Sequence, residues 1–110
     1  MSWLLRDGDV LAAIDPPRKG WPGAIKGAVV RRGPVLVHTL GSPRALDLAW
    51  CLEVRTDRGE VRLEVRRIAS LAPKRLGRPH LTRGAVVAAE QGAFDRWHLQ
   101  VGDRLEVREV

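Results

Sequence analysis

Between Leu46 and Val65 the chain alternates. Leu46, Leu48, Trp50, Leu52 and Val54 fall on one parity, and Ala45, Asp47, Ala49, Cys51 and Glu53 on the other. After the turn Thr56-Asp57-Arg58-Gly59, Val61, Leu63 and Val65 alternate with Arg62, Glu64 and Arg66. Strand side chains change face at every residue, whereas a helix brings a face back only every three or four. The stretch is therefore an antiparallel hairpin, with one face of its first strand wholly apolar and the other small apart from two acids. A domain that contains it needs a second layer to cover the apolar side.

The rest of the chain is punctuated in the same way. Trp3-Leu4-Leu5 and Val10 to Ile14 flank Asp7-Gly8, a pair suited to a two-residue hairpin turn. Asp15 to Gly23 holds three prolines and two glycines and reads as a connecting loop with Arg18 and Lys19 at its middle. Val29-Val30 and Val35-Leu36-Val37, separated by Arg31-Arg32-Gly33-Pro34, read as two strands or one bent strand. Ala72 to Gly84 is an extended loop, Ala85 to Ala89 a short buried strand, and Arg104 to Val110 the last strand. Gly92 to Trp97 makes one or two helical turns that put Phe94 and Trp97 on one face. The expected fold is mainly β: a small β-sandwich or jelly-roll-like barrel of short antiparallel strands, with one short helix near residues 92–98.

At 110 residues the chain has room for one core, so residues 1–110 are read as a single domain. Charged residues make up 29% and apolar residues 45%, close to ordinary globular usage, which favours neither a disordered nor a membrane-spanning chain. No apolar run reaches the roughly 20 residues that cross a bilayer. The first ten residues place acids and a turn where a leader peptide keeps its apolar centre, so a cytoplasmic protein is expected. Cys51 stands alone, which rules out an intramolecular disulfide and a cysteine-built zinc site. It lies between Trp50 and Leu52 and reads as a small core residue.

The net charge of +6 sits between Arg55 and Arg83, where nine basic side chains face three acids. Such a stretch attracts phosphate through counterion release. It carries no interleaved aromatic residue, however, and its arginines alternate with Glu60 and Glu64 as on a solvated strand face. Nucleic acid is thus an unlikely partner, leaving at most weak, non-specific polyanion binding.

The candidate site is VHTLGSPRALDLAWC, Val37 to Cys51. Asp47 is a carboxylate in an apolar strand, and buried carboxylates are costly without partners. Either it accepts hydrogen bonds from amides or an arginine and fixes a loop, or it anchors a ligand at a pocket rim with His38 and Thr39. His38 could act as acid, base or metal ligand, but His38, His80 and His98 lack metal-site spacing, and no metal or cofactor is implied. Arg18, Lys19 and Trp21 would flank this polar site and favour a small anionic ligand or a protein partner. A hydrolytic or metal-assisted enzyme using His38 and Asp47 is the rival reading. No nucleophile-elbow, phosphate-loop or dinucleotide pattern is present. A monomer or weak dimer is expected.

Three pieces together resemble the domain-of-unknown-function family 192. Ala85 to Val107, AVVAAEQGAFDRWHLQVGDRLEV, is similar to its closing segment: a strand ending in Glu, a Gly opening a short helix, then Gly-Asp before the final strand. Val37 to Cys51 resembles its central segment and RKGWPG, Arg18 to Gly23, its basic N-terminal motif. Where the family usually keeps a methionine-rich or aromatic element around the polar pair, this chain has Leu40 and Ser42-Pro43. The resemblance implies a bacterial, mainly β, sandwich-like protein of unknown function, and an altered site in this member.

Overall fold

The computed structural model describes residues 1–15, 25, 27–34, 37–39, 44–77, 79 and 83–109. Strands β1 (Ser2–Arg6) and β2 (Asp9–Ile14) form the first hairpin. Asp7 and Gly8 turn it with φ of 52° and 84°, the left-handed pair that matches the twist of a two-residue loop. β3 (Ala28–Arg32), β4 (Leu46–Arg55), β5 (Val61–Leu71) and β6 (Gly84–Glu90) follow, then the single turn α1 (Ala93–Arg96) and β7 (Arg104–Glu109). No helix among the described residues is long and apolar enough to cross a membrane.

The described strands close into a barrel in the order β1-β2-β3-β6-β4-β5-β7. Of the expected mainly β sandwich or jelly-roll-like barrel with one short helix, the structure shows a closed β-barrel and one very short helix. Closure comes from β1, which pairs antiparallel with β2 on one edge and with β7 on the other, from Ser2–Glu109 to Arg6–Leu105. With both edges of β1 taken, the sheet curls onto itself instead of splitting into two stacked sheets. β4 and β5 are paired from Leu46–Leu71 to Arg55–Val61, with a bulge between Trp50 and Cys51 that leaves Arg66 unopposed. One junction is different: β2 and β3 run parallel and meet only at Ile14 and Ala28.

The alternation of β4 serves two cores. Ala49 and Cys51 point into the barrel with Leu4, Leu63, Val65, Leu105 and Phe94. Leu46, Leu48 and Trp50 point outward into a second cluster with Ile25, Val29, Val37 and Val86. A narrow barrel already holding several leucines has space only for small side chains on its opposite wall, which explains Ala28, Ala49, Cys51, Ala85 and Ala89 there. Three arginines of the hairpin are engaged on the outer surface. Arg62 pairs with Glu60 and with Glu106, Arg66 and Arg104 pair with Glu64, and the Arg67 guanidinium lies 5.9 Å from the Trp50 ring centre.

Candidate functional site

One end of the barrel is stoppered by residues 91–103, which insert Ala93, Phe94 and Leu99 into the inner core. The Phe94 and Trp97 rings, expected on one face, lie 5.5 Å apart. Gly92 caps α1 with φ of 94° and offers no side chain to the exposed amides of the first turn. Asp47 serves that purpose from the neighbouring strand β4, where it lies opposite Ala89. Its Oδ2 accepts the amides of Gly92 at 3.0 Å and Phe94 at 3.2 Å, and its Oδ1 accepts the Ser70 hydroxyl at 2.8 Å. With the residue 6% exposed and three donors on its two oxygens, the carboxylate works as a remote N-cap.

The far end of the plug is held by Arg6. Its guanidinium donates to the carbonyl oxygens of Trp97 and His98 and, at 3.0 Å, to Asp103 Oδ2. Asp103 in turn accepts the Gln100 amide at 2.9 Å. His98 carries φ of 52°, a strained value that these bonds hold in place.

Of the residues singled out in the sequence, Thr39 is 1% exposed and stitched to the loop after β5. Its hydroxyl donates to the Ala72 carbonyl and accepts the Arg75 amide. His38 is half-buried and forms an isolated bridge with Leu76. Neither is a partner of Asp47. Arg18, Lys19 and Trp21, as well as His80, lie outside the described residues. Burial pushes the Cys51 thiol up to about 12, so it stays protonated at neutral pH and is no nucleophile. No group of three His, Cys, Asp or Glu side chains among the described residues is placed to hold a metal ion.

Beside the plug, between β2 and α1, lies a cleft of about 440 Å³, within the usual range of about 300–1,000 Å³ for ligand sites. Its floor is Ala12, Ala13, Gly27 and Ala93, and its rim carries Asp15, Glu90, Arg96 and Trp97. Small side chains make the hollow. A Cβ on Gly27 would come within 2.1 Å of the Ala13 carbonyl oxygen, so only glycine lets β3 begin this close to β2. Asp15 Oδ1 accepts the Gly27 amide at 3.2 Å, and its own amide donates to Ala28. Glu90 and Arg96 pair at 3.0 Å with side chains 46% and 60% exposed. Asp47 stands directly behind this wall, because Ala93 sits between the two amides it holds.

A second hollow of about 430 Å³ lies between Arg62, Arg104 and Arg108 on the outer sheet, but each of these guanidiniums is neutralised by Glu60, Glu64 or Glu106. Glu90 had no signal in the sequence beyond its place at the end of a strand, and Arg96 and Gly27 had none. Their meeting depends on β2 and α1 being brought together by barrel closure. Comparison with protein-family models, with curated proteins and with solved structures finds no match for this chain.

Proposed function

We propose that this chain is a binding or accessory module, and that its recognition surface is the cleft between β2 and α1. The resemblance to family 192 stays part of this proposal, resting on the three ordered sequence pieces. The observation that carries the reading is that α1 is fixed from both ends, by Asp47 at Gly92 and Phe94 and by Arg6 at Trp97 and His98, while Glu90, Arg96 and Trp97 face an open hollow. A wall anchored before a ligand arrives does not have to be ordered by it, and this saves binding free energy. The sealed Asp47 supports recognition over hydrolysis, since a carboxylate occupied by Ser70 and two amides has no position from which to activate water.

The test is a ¹⁵N NMR titration with a panel of guanidinium, tetramethylammonium, acetate and inorganic phosphate. Resonances of Ala12, Ala13, Ala93 and the Trp97 indole should move together for at least one of these probes. Silence at all four positions, or shifts confined to other surfaces, overturns the reading.

A further inference from the structure

We infer that the side of the barrel formed by β3, β6, β4 and the second half of β5 binds the phosphate backbone of a double-stranded nucleic acid. The cleft between β2 and α1 plays no part in it. Between Asp15 and Asp47, and again between Glu64 and Glu90, the sequence has no acid, and each of these two pieces carries six of the chain's nineteen lysines and arginines. All thirteen acids lie in the remaining segments, among seven basic residues. The residues outside the described set add Arg18, Lys19, Lys26 and Arg78 and no carboxylate, so they bring nothing that neutralises this charge.

Folding lays the two acid-free pieces side by side. β3 pairs with β6 from Ala28–Ala89 to Arg32–Ala85, and β4 joins β6 to β5. The connections are bonded to each other too: the Thr39 amide donates to the Arg75 carbonyl, Lys74 to Thr39 and Gly77 to Val37. Arg31, Val86, Trp50 and Arg67 make one ladder row, and Val86 and Trp50 place that row on the outer face. Arg32 stands opposite Ala85, two positions on from Arg83, at one end of this face. Lys74 and Arg75 follow Leu71, whose partner Leu46 lies opposite Glu90 at the other end. The length of β6, at about 3.3 Å per residue, sets the two ends roughly 20 Å apart, the rise of about six base pairs.

The charges of this face are not spent within the chain. Arg32, Arg67, Lys74, Arg75 and Arg83 are exposed, and none pairs with a carboxylate among the described residues. Glu60 and Glu64, which spoke against a nucleic-acid partner in the sequence, are used by Arg62, Arg66 and Arg104. Glu90 is taken by Arg96. Glu53, next after the Leu52–Gly84 pair, is half-buried and in register with the inward Leu63. Arginine forks hold phosphate oxygens in pairs. Among the described residues the face has one aromatic ring, Trp50, which is 7% exposed and lies beneath Arg67. Unpaired bases find no ring to stack on there, which selects a duplex over a single strand. Leu76 is its exposed large apolar side chain, too little to enter a bilayer.

The experiment uses the whole chain and a fluorescein-labelled DNA duplex of about 24 base pairs, read by fluorescence anisotropy between about 20 and 200 mM NaCl. Dissociation constants of about 10 μM or tighter are expected at about 50 mM salt, with log K falling against log[salt] at a slope of about −4.5 for five phosphate contacts. A single strand of the same length should bind about fivefold more weakly. In the unaltered ¹⁵N-labelled chain, the amides of Lys74, Arg75 and Arg83 should shift with the duplex. Lys74→Gln, Arg75→Gln and Arg83→Gln together should weaken binding about tenfold or more and flatten the slope by about 2.7. Arg58→Gln, Arg104→Gln and Arg108→Gln remove the same charge from the acid-bearing segments and should cost less than about twofold. Both triples should keep their melting temperature, as surface changes. No anisotropy change at about 20 mM salt overturns the inference. So does an equal loss in the two triples, which would reduce the effect to net charge. Tighter binding of the single strand, or binding of phosphatidylserine vesicles or polyglutamate without the duplex, assigns the face to another partner and overturns it as well.

Discussion

The same steric demand occurs at two places that differ in how firmly the chain is held around them. A Cβ added to Gly84 would lie 2.1 Å from the Cys51 carbonyl oxygen, and one added to Gly27 would lie 2.1 Å from that of Ala13. Gly84 belongs to the wall of β4 and β6, paired from Leu46–Glu90 to Leu52–Gly84 and buried on both faces. Gly27 belongs to the junction of β2 and β3, where one pair of residues closes the barrel. An identical overlap must deform a continuous ladder in the first case and can part a seam in the second. Local geometry sets the demand for glycine, and the neighbouring ladder sets what its loss costs.

This contrast can be broken by measurement. Gly84→Ala, which also forces a side chain onto φ of 133°, should cost about 4 kcal/mol in chemical denaturation. Asp47→Ala comes next, at about 3 kcal/mol, because it leaves the buried Phe94 amide and the part-buried Gly92 amide without an acceptor. Asp47→Asn, which keeps a carbonyl oxygen for those amides, should cost only about 1 kcal/mol. If the two Asp47 variants are equally harmful, the charge and not the capping geometry is what the plug requires. Gly27→Ala should be mildest of the alanine variants, at about 2 kcal/mol, with hydrogen exchange accelerated in β2 and unchanged in β4 and β5. A loss equal to that of Gly84→Ala would show that the seam is as rigid as the wall.

The hairpin of β4 and β5 was legible from its sequence because its partners are local and its alternation is strict. So was the positive-φ turn at Asp7-Gly8. A barrel was among the expected forms, but the strand pair that closes it was not, since the pairing of Ser2 with Glu109 joins residues from opposite ends of the chain and leaves no periodic trace in either. Asp47 illustrates the same limit within the site. Its position in an apolar strand marked it as a carboxylate in need of partners, and the alternatives of loop acceptor and ligand anchor could not be separated there. The amides that use it belong to Gly92 and Phe94, more than forty residues away. The cleft was invisible for a related reason: its floor is alanine and glycine, whose importance lies in the space they leave.

Strand β6 reads Gly-Ala-Val-Val-Ala-Ala-Glu and is enclosed on both sides, with Ala85, Val87 and Ala89 turned inward and Val86 and Ala88 outward. Sliding it by one position would present alanines and valines to either layer all over again, so greasiness cannot tell the correct alignment from its neighbour. The two ends make that distinction: Gly84 alone fits against Cys51, and Glu90 must finish where it can reach Arg96. A missing methyl group at one end and a charge at the other therefore act as the stops of a sliding bolt.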